Sequence, residues 1–285
     1  MIKASRFLSP KSDVIFKKIF GSHPAILKSF LNAVMPLPEG VEIDHLEYLT
    51  PEEVPIIPEF KRSIVDVKCY DKSGMIFIIE MQMNWSPSFN SRMLYGCSKA
   101  YVNQLYSGQP YKELCDVYGL ALVDNEFDPN PNEYYHHYKL TKVGDTTKYL
   151  KGMEIVFVEL PKFKFKTLQE KKLRALWFRF LNETENMLEV PKEFQEEKEI
   201  IEALELSQEA ALTKEELAYY ESYMDAIRTE KTLMEDSFEE GREEGREEER
   251  LKAFEEKKEM AQKLKKMGLS IEQIFEAIGL KEGEF

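Results

Sequence analysis

The chain is 285 residues long, 43% hydrophobic and 12% aromatic, with a net charge of -13. That is enough apolar sequence for one sizeable core and a smaller second unit, and no apolar run approaches the length of a membrane-spanning helix. The acidity is concentrated late, since residues 1–165 hold 19 Lys+Arg against 20 Asp+Glu and the remainder holds 20 against 32, so the charge neither demands nor excludes a nucleic-acid partner for the N-terminal part.

Met1 to Arg6 lacks the apolar stretch of a signal peptide, and a cytoplasmic protein is expected. Cys69, Cys97 and Cys115 are odd in number, scattered and embedded in periodic segments, so they read as reduced core residues and not as a zinc site.

Ser9-Pro10-Lys11-Ser12 opens a helix that continues from Asp13 to Phe20, with Asp13 and Lys17 paired at i,i+4 and Phe16 and Phe20 turned inward. Gly21 ends it. A second helix follows His23-Pro24 from Ala25 to Met35 on a stripe of Ile26, Phe30, Leu31 and Val34, and Pro36-Leu37-Pro38 stops it. His23 and His45 have no partner at ligand spacing and read as cap or surface residues. Glu42 to Glu59 carries Pro51, Pro55 and Pro58 and reads as a short strand with an irregular connector.

The stretch Ser63 to Met83 organises the rest. Two β-rich runs flank Lys72-Ser73-Gly74, which predicts a hairpin with a three-residue loop and glycine at the φ > 0 position. The resulting antiparallel register sets Asp66 opposite Glu80. Asp66, Glu80 and Gln82 then share one face, while Val65, Val67, Cys69, Phe77, Ile79 and Met81 point into a core. Opposed carboxylates repel unless a proton or a cation sits between them, and hard oxygen donors with room for water suit Mg²⁺ or Mn²⁺. The competing reading is a solvated strand face on which Lys68 screens the acids; Ile64, Ile76 and Ile78 make that face apolar and argue against it.

Ser86-Pro87-Ser88 is expected to cap a long helix through Tyr106, with Leu94, Cys97, Tyr101 and Leu105 inward and Arg92, Tyr95 and Lys99 on another part of its surface. Val117 to Val123 is a buried, central strand. Asp124 to Lys151 is polar and reads as a loop or edge hairpin; its adjacent His136 and His137 would point opposite ways on a strand and not share a metal. Glu154 to Leu160 is a further strand.

From Thr167 the pattern turns helical, with Leu173, Leu176, Trp177, Phe180 and Leu181 on one face, then helices near Pro191–Leu206 and Thr213–Met234. Glu239 to Arg250 is a charged tract, either a solvated helix or partly disordered. Met260 to Leu280 reads as two short helices around Gly268-Leu269-Ser270 that must pack on something, a second subunit included.

The combination Asp13-x-x-Phe16-Lys17-x-x-Phe20, Asp66, Ile79-Glu80-Met81-Gln82 and Arg92-x-x-x-Gly96-x-x-Lys99-x-Tyr101-x-x-Gln104-Leu105-x-x-Gly108-x-x-Tyr111 resembles the Rpn recombination-promoting nucleases, the PD-(D/E)XK nuclease family transposases. The resemblance runs from about Lys11 to Leu160 and extends to the charged tail. It implies a restriction-endonuclease-like α/β fold, a mixed sheet flanked by helices, here with a C-terminal all-helical extension. It also implies DNA cleavage with a divalent metal, Asp66 and Glu80 as metal ligands, and Gln82 in the place of the general motif's lysine. Gln82 offers neutral hydrogen bonds where a lysine gives a charge. Asp13 and Lys17 are candidate accessory residues, the first toward the metal and the second toward a phosphate.

The expected organisation is a nuclease-like domain over residues 1–165, a helical region over 166–235 packing on it, and a charged helical tail over 236–285 through which two copies could pair. Two functions follow: a metal-dependent DNA endonuclease tied to recombination or mobile elements, or a non-catalytic DNA-binding or scaffold protein on the same fold.

Overall fold

The computed structural model describes residues 6–49, 52–53, 63–64, 66–164, 172–281 and 283–285. Helix α1 (Asp13–Phe20) starts where the Ser12 hydroxyl accepts the Ile15 N–H, with Asp13 in its first turn and Lys17 and Lys18 in its last, each sign matching the helix dipole. His23 precedes α2 (Pro24–Val34), and its ring bonds the Lys18 carbonyl at 2.8 Å, tying the end of one helix to the start of the next. Phe16, Phe20 and Phe30 from this pair gather with Trp177 at ring-centroid distances of 4.8 to 5.8 Å.

Strand β1 (Glu47–Tyr48) forms one edge of the main sheet, and β2 (Glu52–Glu53) pairs with β3 (Ser63–Ile64) as a separate ladder. Strands β4 (Val67–Tyr70) and β5 (Ile76–Gln82) form the expected hairpin, with Tyr70 opposite Ile76 and Val67 opposite Ile79. The Asp71 N–H donates to the Met75 carbonyl, which leaves Lys72-Ser73-Gly74 as the loop, and Gly74 takes φ +86°. Helix α3 (Ser88–Val102) crosses back to β6 (Val117–Val123), which runs parallel to β5 and is buried along its whole length, as a strand covered on both faces must be. Strands β7 (Tyr135–Lys142) and β8 (Asp145–Glu159) make an antiparallel edge hairpin, and β8 lies parallel to β6. Among the described residues this sheet has six strands in the order β1-β4-β5-β6-β8-β7.

Helices cover both faces. Cys69, Phe77, Ile79 and Met81 join a core with α1, α2, α4 (Lys172–Glu183) and α6 (Lys198–Leu206), the last preceded by the single turn α5 (Lys192–Gln195). Ile76 and Ile78 lie under α3. The solvated-face alternative for the acid-bearing side of β5 therefore falls: that side is roofed by Phe89, Met93 and Cys97.

Several expectations need correction. Helix α3 ends at Val102 rather than Tyr106, has no side-chain cap, and buries Phe89, Met93, Cys97 and Ala100, leaving Leu94 52% exposed. The cause is Gly119 on β6, where a Cβ would lie 2.7 Å from both Cys97 Sγ and Met93 Cε. That gap seats Met93 and Cys97, and a helix turns by about 100° per residue, which swings Leu94 outward. Strand β8 begins at Asp145, not Glu154. Helix α7 (Lys214–Lys266) runs unbroken through Met234 and the charged tract. Its first turns belong to the unit Met1–Ile227 and the remainder to a second unit, Arg228–Phe285.

The tract and the turns flanking it are helical because Glu, Arg and Lys are good helix formers and pair at i,i+3 and i,i+4, as Arg250–Glu247 does within the tract and Lys231–Glu235 and Lys258–Glu255 do beside it, each worth about 0.2–0.5 kcal/mol. The first of the two expected terminal helices is thus the end of α7. The second, α8 (Ile271–Ile278), begins with a reciprocal Ser270–Gln273 capping box, and Ala261, Ile274 and Leu280 form a small apolar cluster of the second unit. The side chains of Ile64 and Val65, Pro51, Pro55, Pro58 and the helix start at Thr167 lie outside the described residues.

Candidate active site

Strand β5 carries its acid at the end where parallel strands of an α/β sheet present ligands. Glu80 is 4% exposed. Continuing the β4–β5 ladder one pair past Val67 and Ile79 sets Asp66 across from Glu80, the expected register. Asp66 sits on a bend before β4, and its Oδ2 accepts the Met81 N–H at 2.7 Å. The acids draw their cations from opposite layers: Lys17 of α1 stands 3.6 Å from Asp66, and Arg92 of α3 stands 3.2 Å from Glu80.

Electrostatics show how tightly the acids are grouped. Burial pushes the Glu80 carboxyl above its ordinary value and the Asp66 charge adds to that push, with Arg92 opposing. Asp66 is raised as well, by burial first and by Asp13 in addition, against the Met81 N–H and Lys17. Lys17 loses some basicity to burial, but its hydrogen bond to Asp13 and the charge of Asp66 more than restore it. Tyr223, on the first part of α7, is pushed up to about 12 by burial together with the fields of Asp13 and Asp66. It stays a phenol beside the acids.

Gln82 is held at both ends. Its amide nitrogen donates to the Asn84 carbonyl and its oxygen accepts from Arg92. One guanidinium therefore spans Glu80 and Gln82 while stacking 4.7 Å over Phe89. Lys17 in turn joins Asp13, at 2.5 Å, to Asp66. All five expected residues lie in or beside one cluster, and Asp13 reaches it through Lys17. Arg92 is the member that residue-level reading placed on the helix surface. The signal was present, since Arg92 opens the longest segment of the family resemblance and stands in the first turns after the acid strand.

The two histidines diverge as expected. His136 is buried against Glu159 at 2.7 Å, and His137 bonds Glu154 at 2.6 Å. Neither meets the acid cluster.

Among the described residues no three His, Cys, Asp or Glu side chains gather as a metal-holding group. Asp66 and Glu80 contribute carboxylate oxygens alone. Cys97, which feels the Glu80 charge, is pushed up to about 12 by burial and that charge and stays a neutral thiol. Two hard acids whose protonation is favoured by burial and by a negative neighbour, Asp13 for Asp66 and Asp66 for Glu80, fit an oxygen-seeking divalent cation that keeps water in its remaining positions. They do not fit a closed four-ligand zinc site.

No helix of the described residues is long and apolar enough to cross a membrane. In comparisons with known proteins, the family model described as PD-(D/E)XK nuclease family transposase matches residues 10–237, a span that includes every residue of this cluster. No curated protein and no solved structure matches the chain.

Proposed function

Because the chain belongs to the PD-(D/E)XK nuclease family transposases, we propose that its acid cluster is the centre of a divalent-metal-dependent DNA endonuclease acting on phosphodiester bonds in recombination or mobile-element traffic. The observation that carries this reading is the pairing of Asp66 with Glu80 at the end of β5, both held above their ordinary pKa by burial and by negative neighbours. A protein gains nothing in stability from such a pair; a cation-binding site needs one.

Asp66 and Glu80 would hold Mg²⁺ or Mn²⁺. When bound, such an ion offers positive charge to a phosphate oxygen and acidifies a coordinated water. The chain's own side chains supply the rest. Gln82, fixed by Asn84 and Arg92, keeps an amide N–H and an oxygen lone pair free to orient the attacking water. Lys17, paired with Asp13 and Asp66, supplies near the scissile phosphate the charge that Gln82 lacks. Arg92 presents a planar fork of donors that matches phosphate oxygens. The Met81 N–H on Asp66 Oδ2 fixes that carboxylate's rotamer, so the pair is preorganised.

Lys17 and Arg92 already partner the two acids, and this favours a second reading in which the cluster is a self-compensated relic on a DNA-binding or scaffold protein. A plasmid-nicking assay separates the two. The full-length chain is expected to nick supercoiled DNA with Mg²⁺ or Mn²⁺, and Glu80→Ala is expected to be inert under the same conditions. Equal nicking by both proteins, or none by the wild type, overturns the endonuclease.

A further inference from the structure

The β7–β8 hairpin leaves the covered part of the sheet. Gly152 takes φ +124° with the Tyr101 ring 3.1 Å from where a Cβ would sit, and before it residues 146–151 of β8 are exposed without alternation, as are residues 137–142 of β7. A strand exposed on both faces is a free-standing ribbon. Its tip residue Val143 is 97% exposed, and Leu140 and Leu150 pair across it at 57% and 72%.

The ribbon is basic in an acidic chain. Between His137 and Lys151 stand Lys139, Lys142, Lys148 and Lys151 against a lone Asp145. Lys139 lies 4.8 Å over the Tyr149 ring and pairs with Glu154, and Lys148 pairs with Asp145. Lys142 and Lys151 have no ion pair among the described residues. Lys142, Lys148, Tyr149 and Leu150 help line a groove of ≈ 680 Å³.

Lysines on an edge strand commonly guard it against strand addition. A guard has no use for an exposed Leu140–Leu150 pair or for Val143, which make the edge stickier. Lysines around apolar and aromatic side chains on a narrow two-stranded ribbon match a different partner, a polyanion with a groove. A DNA major groove admits such a ribbon, with lysines reaching the phosphates on either side.

We propose that the β7–β8 ribbon is a second DNA contact, gripping the duplex on one flank of the cleavage site through Lys142 and Lys151 at phosphates and Tyr149, Leu150 and Val143 at the groove. This rests on the reading that the chain acts on DNA. Strand register sets Glu80 level with Ala121 and Phe157. The β7–β8 ladder shifts register after Lys139 and after Thr141, so the reach is counted along β7: Lys151 falls between the Lys139–Glu154 and Leu140–Leu150 pairs, three to four residues beyond the His136–Phe157 pair, and Lys142 stands six beyond it, roughly 10–20 Å at a strand rise of about 3.3 Å per residue. A duplex following that direction meets the ribbon roughly three to six base pairs from the cut, at about 3.4 Å per pair.

The test measures fluorescence anisotropy of a labelled duplex of about 30 base pairs with the full chain carrying Glu80→Gln to prevent cleavage, with and without Lys142→Glu and Lys151→Glu. The added pair is expected to weaken binding at least about tenfold and to lower the slope of log affinity against log salt by about two. Melting temperatures of the two proteins should match. Unchanged affinity and slope on the long duplex, while the wild type still nicks plasmid, overturn the ribbon and leave the nuclease standing. Failure of the wild type to bind or nick any DNA overturns both. If Val143→Ser with Leu150→Ser lowers the molecular mass in light scattering and leaves DNA affinity unchanged, the ribbon joins copies of the chain and the proposal is wrong.

Discussion

Two buried acid clusters sit at the ends of the parallel strands β5 and β8, with β6 between them, and their acids are pushed in opposite directions. At the end of β8, Glu159 has no exposed surface, yet both of its oxygens are satisfied. Oε1 takes Lys162 at 2.9 Å and His136 at 2.7 Å, and Oε2 takes the Phe127 and Asp128 N–H groups. Lys162 spends its other donors on the Asp128 and Asn130 carbonyls. Burial works against the Glu159 charge, but Lys162, the backbone amides and His136 outweigh it and hold the carboxyl below its ordinary value. At the end of β5, Asp66 and Glu80 have fewer donors; burial raises both, with the charge of Asp13 adding to the push on Asp66 and the charge of Asp66 to that on Glu80. A saturated acid is cement for the 124–133 loop, whereas an undersupplied pair keeps capacity for a ligand.

The largest effect that tests this contrast is on stability. Glu159→Gln strands the Lys162 ammonium, whose side chain is only 3% exposed, and should cost about 3–5 kcal/mol in urea unfolding, the usual scale for breaking one side of a buried pair. A loss under about 1 kcal/mol would show that this cluster does not lock the 124–133 loop.

Glu80→Gln is the matching change at the other cluster. It removes a charge that burial and Asp66 disfavour, so its melting temperature should equal or exceed that of the wild type. Adding Mg²⁺ should raise the wild-type melting temperature and leave that of Glu80→Gln in place, because a ligand stabilises only the state that binds it. Destabilisation of Glu80→Gln comparable to that of Glu159→Gln would erase the distinction between the clusters.

The smallest effect is the pH profile of stability without added metal. Acids whose folded pKa is raised bind protons more tightly in the native state, so Asp66 and Glu80 make stability fall as pH rises from the ordinary carboxylate range through their raised values. Glu159 acts oppositely, contributing stability that is present above its ordinary value and lost as pH falls through the lowered one. Thermal melts across the acid range should therefore show Glu80→Gln losing the Glu80 share of the decline on the high side and Glu159→Gln losing the Glu159 share of the acid sensitivity on the low side. Superimposable profiles for the two variants would contradict the opposite shifts.

Much of this was legible in the residues. The hairpin loop, the Asp66–Glu80 register, the buried run of β6, the limits of α1 and, to within a residue, those of α2, and the Asp13–Lys17 pair are set by local patterning, turn chemistry and capping, which act over a few residues and leave their mark in the sequence. Arg92 was marked by the family resemblance, but its pairing with Glu80 was not legible. Its direction depends on how α3 is rotated, and Leu94 and Met93 offer equally apolar faces until Gly119 opens the gap that seats Met93 and Cys97.

By itself, then, the sequence determined which side chains could form an acid centre and on which strand they stand, because the alternation of a strand and the reach of a three-residue loop are short-range geometry. Only the tertiary structure decided what surrounds that centre: Lys17 beside Asp66 across the chain, Arg92 spanning Glu80 and Gln82, and the loss of solvent that raises both acids. It also decided that β8 runs on into an exposed ribbon and that α7 continues through the charged tract. Those outcomes depend on how layers pack and how much water they exclude, which residues distant in the chain settle together.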